Sequence, residues 1–115
     1  MKKIAIFAFQ DDPMCFIHVL LNALDLKERG IEARVILEGK ATALIPLLAA
    51  EDHPLHRLWN RVKESGLVDG VCKACSSRMK TLEAAIAQEL RLLDEMAGHP
   101  SMGRYREDGF DIVTF

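Results

Sequence analysis

The sequence predicts an α/β sandwich, with helices covering a largely parallel sheet. Three observations carry that expectation. Short apolar runs alternate with stretches of helical periodicity along the whole chain. The opening run is continuously apolar rather than alternating, as in strands covered on both faces. Several runs are followed by helix signals, the order expected of parallel crossovers. The chain has 115 residues, half of them apolar, and no linker, internal repeat or low-complexity stretch. It therefore reads as one domain over 1–115.

Lys3 to Phe9 is the first strand. Asp12 caps a helix whose first residue is Pro13. Met14, Ile17, Leu21 and Leu24 follow at spacings of three and four, and Phe16, Val19 and Leu20 widen the stripe, so this helix is expected to be well buried. Gly30 ends it. Arg34 to Leu37 is the second strand, stopped by Gly39. Ala41 to Ala50 reads as a helix interrupted or bent at Pro46. Asp52-His53-Pro54 opens a third helix in which Leu55, Leu58, Trp59 and Val62 share one face. Gly66 closes it. Leu67 to Val71 is a short third strand, and Thr81 to Gln88 is helical in composition. Leu90 to Leu93 either continues that helix or forms a short buried strand, and the strand is favoured. After a Gly98-His99-Pro100-Ser101 turn, Ser101 caps a last short helix ending near Gly109. Phe110 to Phe115 is the final strand.

Charge and hydropathy exclude several roles. The net charge is −2, from 15 basic and 17 acidic residues spread along the chain. No basic stripe suggests nucleic acid as a partner. No apolar run approaches the roughly 20 residues needed to cross a bilayer. The opening apolar run is too short for a signal peptide and stops at Gln10-Asp11-Asp12-Pro13. Three cysteines, two of them in a CxxC, argue against a secreted disulfide scaffold and for a cytoplasmic protein.

The polar chemistry collects after the strands, where open α/β sheets bind ligands. Gln10, Asp11 and Asp12 follow the first strand, Gly39 and Lys40 the second, Cys72 and Cys75 the third, and Glu95 and His99 the fourth. Cys15 lies in the first turn of the first helix. All three cysteines and His99 are thus expected at one edge of the sheet. A helix start just after Cys72 would lower its thiol pKa toward neutral. Plain packing is the competing reading, favoured for Cys15 between Met14 and Phe16. His18, within the buried helix, reads as structural, and His53 and His56 as capping or solvent-exposed. One CxxC supplies two soft ligands, so a zinc site would need His99 or Cys15 to complete it. A thioredoxin-like motif fits poorly, because the pair comes late and encloses Lys73-Ala74.

The order of "KKIAIFAF", "LKERG", "ARVILEG", "GLVDGVCKACSSRM" and "LLDEMAGHPSMGRYREDGFDIVTF" resembles the DsrE/DsrF-like family, which includes TusD-type sulfur-relay proteins. The resemblance spans nearly the whole chain. It implies a three-layer sandwich with a five-stranded, mostly parallel sheet, and trimeric or hexameric homo-oligomers. It implies a sulfur carrier or sulfurtransferase that takes sulfane sulfur from a donor protein as a persulfide on Cys72 and needs no cofactor. Cys75 departs from the relay pattern, where a small non-cysteine residue is usual. That departure leaves a resolving cysteine, a metal ligand or a different task open, with His99 as a proton-transfer partner in the first case. The alternative is an oligomeric module without enzymatic activity, holding a metal or small ligand through Cys72, Cys75 and His99.

Overall fold

The computed structural model describes residues 2–115. Its centre is a five-stranded, all-parallel sheet in the order β4-β3-β2-β1-β5. The strands are β1 (Lys3–Ala8), β2 (Glu32–Leu37), β3 (Val68–Cys72), β4 (Leu92–Leu93) and β5 (Asp111–Thr114). The expected α/β architecture is therefore observed, and residues 90–93 do contribute a strand, cut to two residues.

Two apolar cores flank the sheet, because alternate β1 side chains point to opposite faces. Ile6 and Ala8 join the larger core, while Ala5 and Phe7 join the smaller one. The larger core takes α1 (Pro13–Glu28), a 3₁₀ turn at Gly39–Leu44 running into α2 (Ile45–Leu48), α3 (His56–Glu64) and α5 (Leu82–Ala87). Between β3 and α5 lies α4 (Lys73–Arg78), and α6 (Met102–Glu107) places Tyr105 in the smaller core. Three crossovers step outward from β1 to β4. The last returns past α6 to the far edge, where β5 pairs with β1.

Local signals explain most boundaries. Asp12 caps α1 by accepting the Met14 N–H at 2.8 Å, and Pro13 occupies the first turn, where no N–H is needed. Ser101 caps α6 through the Arg104 N–H. The helix expected over 41–50, interrupted or bent at Pro46, is interrupted: a 3₁₀ turn runs to Leu44 and a four-residue helix follows with Pro46 in its first turn. Helix α3 starts at His56, not at Asp52, because the His53 ring accepts the Leu55 N–H in a turn before it. His56 is structural too, with Nδ1 at the Leu48 carbonyl.

The buried stripe of α1 differs from the expected one. Phe16, Val19, Leu20 and Ala23 face the sheet, while Met14 is 79 % exposed, Leu21 is 46 % exposed and His18 lies in solvent. Apolar residues occupy so much of this helix that spacing alone could not say which sector faces inward. Docking of Phe16 on Trp59, with ring centroids 6.2 Å apart, selects it.

Gly70 lets β4 approach β3. A Cβ there would stand 2.7 Å from the Arg91 carbonyl oxygen and 2.8 Å from Leu93 Cγ. That carbonyl accepts the Val71 N–H at 2.9 Å and cannot yield without breaking the ladder. Gly70→Ala is expected to destabilise the protein by about 1–3 kcal/mol in urea unfolding. An unchanged midpoint would show that β4 does not depend on this contact.

Candidate functional site

In a parallel sheet every strand delivers its C-terminal end to the same edge. Here the neighbouring strands β2, β3 and β4 bring Glu38, Cys72 and the loop 94–101 together. Cys72 is both the last residue of β3 and the N-cap of α4, with no loop between them. Its φ and ψ of −64° and 120° are still extended, and its Sγ accepts the Cys75 N–H at 3.3 Å. One turn of helix therefore sets Cys75 beside Cys72.

His99 arrives from β4 on a tight two-residue turn. Met96 and His99 exchange both backbone hydrogen bonds, at 2.8 and 2.9 Å, around Ala97 and Gly98. Both central residues have positive φ, 50° and 91°, as a type I′ turn requires. Alanine in that region costs on the order of 1 kcal/mol. The turn is fixed to α4, since the Gly98 carbonyl accepts the Ala74 N–H at 2.9 Å. A Cβ on Gly98 would come within 3.1 Å of Ala74 Cβ. Arg104 braces the same loop from α6 through its ion pair with Glu95.

The result is a compact donor set. Cys72 Sγ lies 3.0 Å from His99 Nδ1 and Cys75 Sγ lies 3.7 Å from the same atom. The three donor atoms all fall within 4.8 Å of one another, with Cys72 buried and the other two half-buried. This group could hold a metal ion. Glu38 borders it, with Oε2 at 3.6 Å from His99 Nδ1.

The electrostatics differ from expectation. Burial, the largest cause, pushes the Cys72 thiol up from the ordinary 9.0 to about 12. The Cys75 N–H opposes this, but the neighbouring Cys75 thiol and the Glu38 charge add to the rise. The expected lowering toward neutral fails because Cys72 is 0 % exposed, so desolvation of a thiolate outweighs one N–H and a six-residue helix. Burial likewise raises the Glu38 carboxyl, against the attraction of His99.

Of the sequence candidates, Cys72, Cys75 and His99 converge, while Cys15 does not. Cys15 is exposed on α1, neither packed nor part of the donor group. Asp12 serves as a cap, and Glu95 is taken by Arg104. Lys40 is exposed. The site sits over β2, β3 and β4, not where the strand order reverses at β1 and β5. Sequence reasoning missed Glu38. Its signal was an acid directly after a buried strand, one residue before the glycine read as the strand's stop. It also missed the Asp69–Tyr105 hydrogen bond, which only the packing of α6 under β3 creates.

No protein-family model matches the chain. It is 38 % identical over 96 residues to the uncharacterized protein MJ0733 of Methanocaldococcus jannaschii, covering 84 % of this chain and 76 % of that one. An uncharacterized protein of Archaeoglobus fulgidus is 58 % identical over 50 residues, covering 44 % of this chain and 80 % of its own. In three dimensions the chain is similar to a conserved protein of unknown function, BT1422, from Bacteroides thetaiotaomicron. The TM-score is 0.73 at 19 % identity, over 99 % of this chain and 95 % of the other. That likeness bears on the fold.

Between pH 9.0 and about 12 the folded chain keeps a proton on Cys72 that the unfolded chain gives up. Stability of the metal-free protein should therefore be full below that window and fall as pH rises through it. Cys72→Ser, which retains an N-cap residue, should flatten this part of the profile in urea unfolding at stepped pH. Equal slopes in both proteins would show that Cys72 titrates near its ordinary value.

Proposed function

The chain belongs to the family of the uncharacterized protein MJ0733, and we propose that its Cys72–Cys75–His99 centre holds a soft or borderline divalent transition metal, zinc foremost. The mutual spacing of the three donors carries this reading. A tetrahedral ion with bonds of about 2.0–2.3 Å sets its ligands about 3.3–3.8 Å apart. The 3.7 Å Cys75–His99 separation lies in that range, and the 3.0 Å Cys72–His99 contact is short of it by a few tenths. Two sulfurs and an imidazole suit zinc and exclude hard cations such as magnesium or calcium.

Charge favours the same reading. A buried thiol that resists ionisation in isolation becomes a ligand by exchanging its proton for a cation. Lys73, the residue after Cys72, pairs with Asp94 at 3.8 Å. The protein would then act as a metal-binding module rather than an enzyme. Self-association into trimers or hexamers is part of the proposal, with exposed Met14, Leu21, Leu47 and Ile86 as apolar surface for it.

The Cys72–His99 contact supports a second reading, sulfane-sulfur carriage, in line with the resemblance to DsrE/DsrF-like chains. His99 would take the Cys72 proton as the sulfur attacks the outer sulfur of a polysulfide or persulfide, leaving a Cys72 persulfide and a shortened donor. Attack of the Cys75 thiolate on the Cys72 sulfur would then expel hydrosulfide and close a disulfide, which a thiol reductant reopens.

Protein purified without an affinity tag is expected to carry one zinc per chain by native mass spectrometry and elemental analysis. Cys75→Ser should weaken zinc binding by at least about tenfold in chelator competition. Wild-type protein that takes up neither zinc nor cobalt(II) would rule the metal reading out. On polysulfide treatment, a single-sulfur mass gain on Cys72, lost in Cys72→Ser, would move the function to sulfur carriage. Equal loading of both proteins would remove that mechanism.

A further inference from the structure

Glu38 stands where the metal reading has a vacancy. It follows β2 directly, as Cys72 ends β3 and the His99 loop leaves β4, so three adjacent strand ends supply four donor side chains. Its backbone is fixed, the N–H donating to the Ala8 carbonyl at 2.9 Å. Its side chain is only 14 % exposed. Among the described residues its ionic contact is with His99, and no lysine or arginine nitrogen comes within 4.0 Å of it.

A carboxylate so withdrawn from water is costly without a cation beside it. Structural carboxylates of this kind pair with arginine elsewhere in the chain: Glu95 with Arg104, and Asp69 with Arg91 at 3.8 Å. Glu38 has no such partner and is aimed at the imidazole nitrogen that also faces both sulfurs. The 3.6 Å from Oε2 to Nδ1 is too long for a hydrogen bond. It falls within the roughly 3.3–3.8 Å that separates two ligands of one tetrahedral ion. The carboxylate borders the three-donor group rather than lying inside it, so closing the set requires the Glu38 carboxylate to move toward the two sulfurs.

We propose that Glu38 is the fourth ligand, making a Cys₂-His-carboxylate centre with no open position. This rests on the metal reading above and narrows it. A closed four-coordinate site leaves no place for an activated water, so the ion would be stored, sensed or structural rather than hydrolytic. Binding would also tie the β2–α2 turn to β3 and β4, because Glu38 is the only donor carried by that turn.

Cobalt(II) titration of wild type, Glu38→Gln and Glu38→Cys tests this, with circular dichroism and thermal melts confirming that each variant folds. Wild type should show charge-transfer absorption from two thiolates and strong tetrahedral ligand-field bands. Glu38→Cys adds a third thiolate and should raise the charge-transfer intensity by about half. Glu38→Gln should keep the two-thiolate band while cobalt affinity falls at least about tenfold. A wild-type spectrum with thiolate bands, together with an unchanged Glu38→Cys intensity and wild-type affinity in Glu38→Gln, would overturn the role of Glu38 alone. No thiolate band in wild type would overturn the metal reading and this inference with it.

Discussion

The site depends on one side chain doing two backbone jobs. Cys72 closes β3 and caps α4, so the strand turns into the helix with nothing between. That junction fixes the position of both sulfurs. A strand end places Cys72 in the core edge, and a single helical turn returns Cys75 to it. Because β3 lies between β2 and β4 in the sheet, the loops of both neighbours fall on either side of the pair. Glu38 comes from one side and His99 from the other.

Such a junction sets the chemistry as well as the geometry. A thiol at the mouth of a helix is expected to ionise easily, and this one does not, because it is out of water. Two opposing effects meet at one atom: an N–H 3.3 Å away favours the anion, and the loss of hydration disfavours it more strongly. A neutral buried thiol beside a second thiol, an imidazole and a carboxylate is poor as a free nucleophile. It is a reasonable resting state for a ligand set that exchanges protons for a cation. The Ala97–Gly98 turn has a matching logic. Positive φ at a non-glycine residue is retained where the surroundings hold it, and here the held element is the turn that presents His99.

The other face of the sheet supports this edge from below. Tyr105 is almost fully buried, packs edge-on against Phe7 with ring centroids 5.4 Å apart, and donates its hydroxyl to Asp69. Arg104 stacks on the Tyr105 ring at 4.1 Å and reaches Glu95 in the His99 loop. Helix α6 thus couples the smaller core to the loop that carries the imidazole. The Arg104 charge is paired within this network by Asp69, Glu95 and Asp108, which is why it reads as bracing rather than as a second site.

The amino-acid sequence alone determined the α/β class, the five strand positions to within a few residues, the Asp12 and Ser101 caps, and the placement of Cys72 and Cys75 between the third strand and a helix start. Those features rest on local chemistry: continuous apolar runs, a capping carboxylate or hydroxyl, and a three-residue spacing at a helix start. Tertiary structure decided the rest. It rotated α1 so that Met14, Cys15 and His18 face outward, because a helix apolar on most sides does not encode which sector docks. It brought His99 to Cys72 across 27 residues, added Glu38 from the turn after the preceding strand, and raised the thiol pKa by burial. Strand order and desolvation are properties of the packed sheet, and no short stretch of sequence carries them.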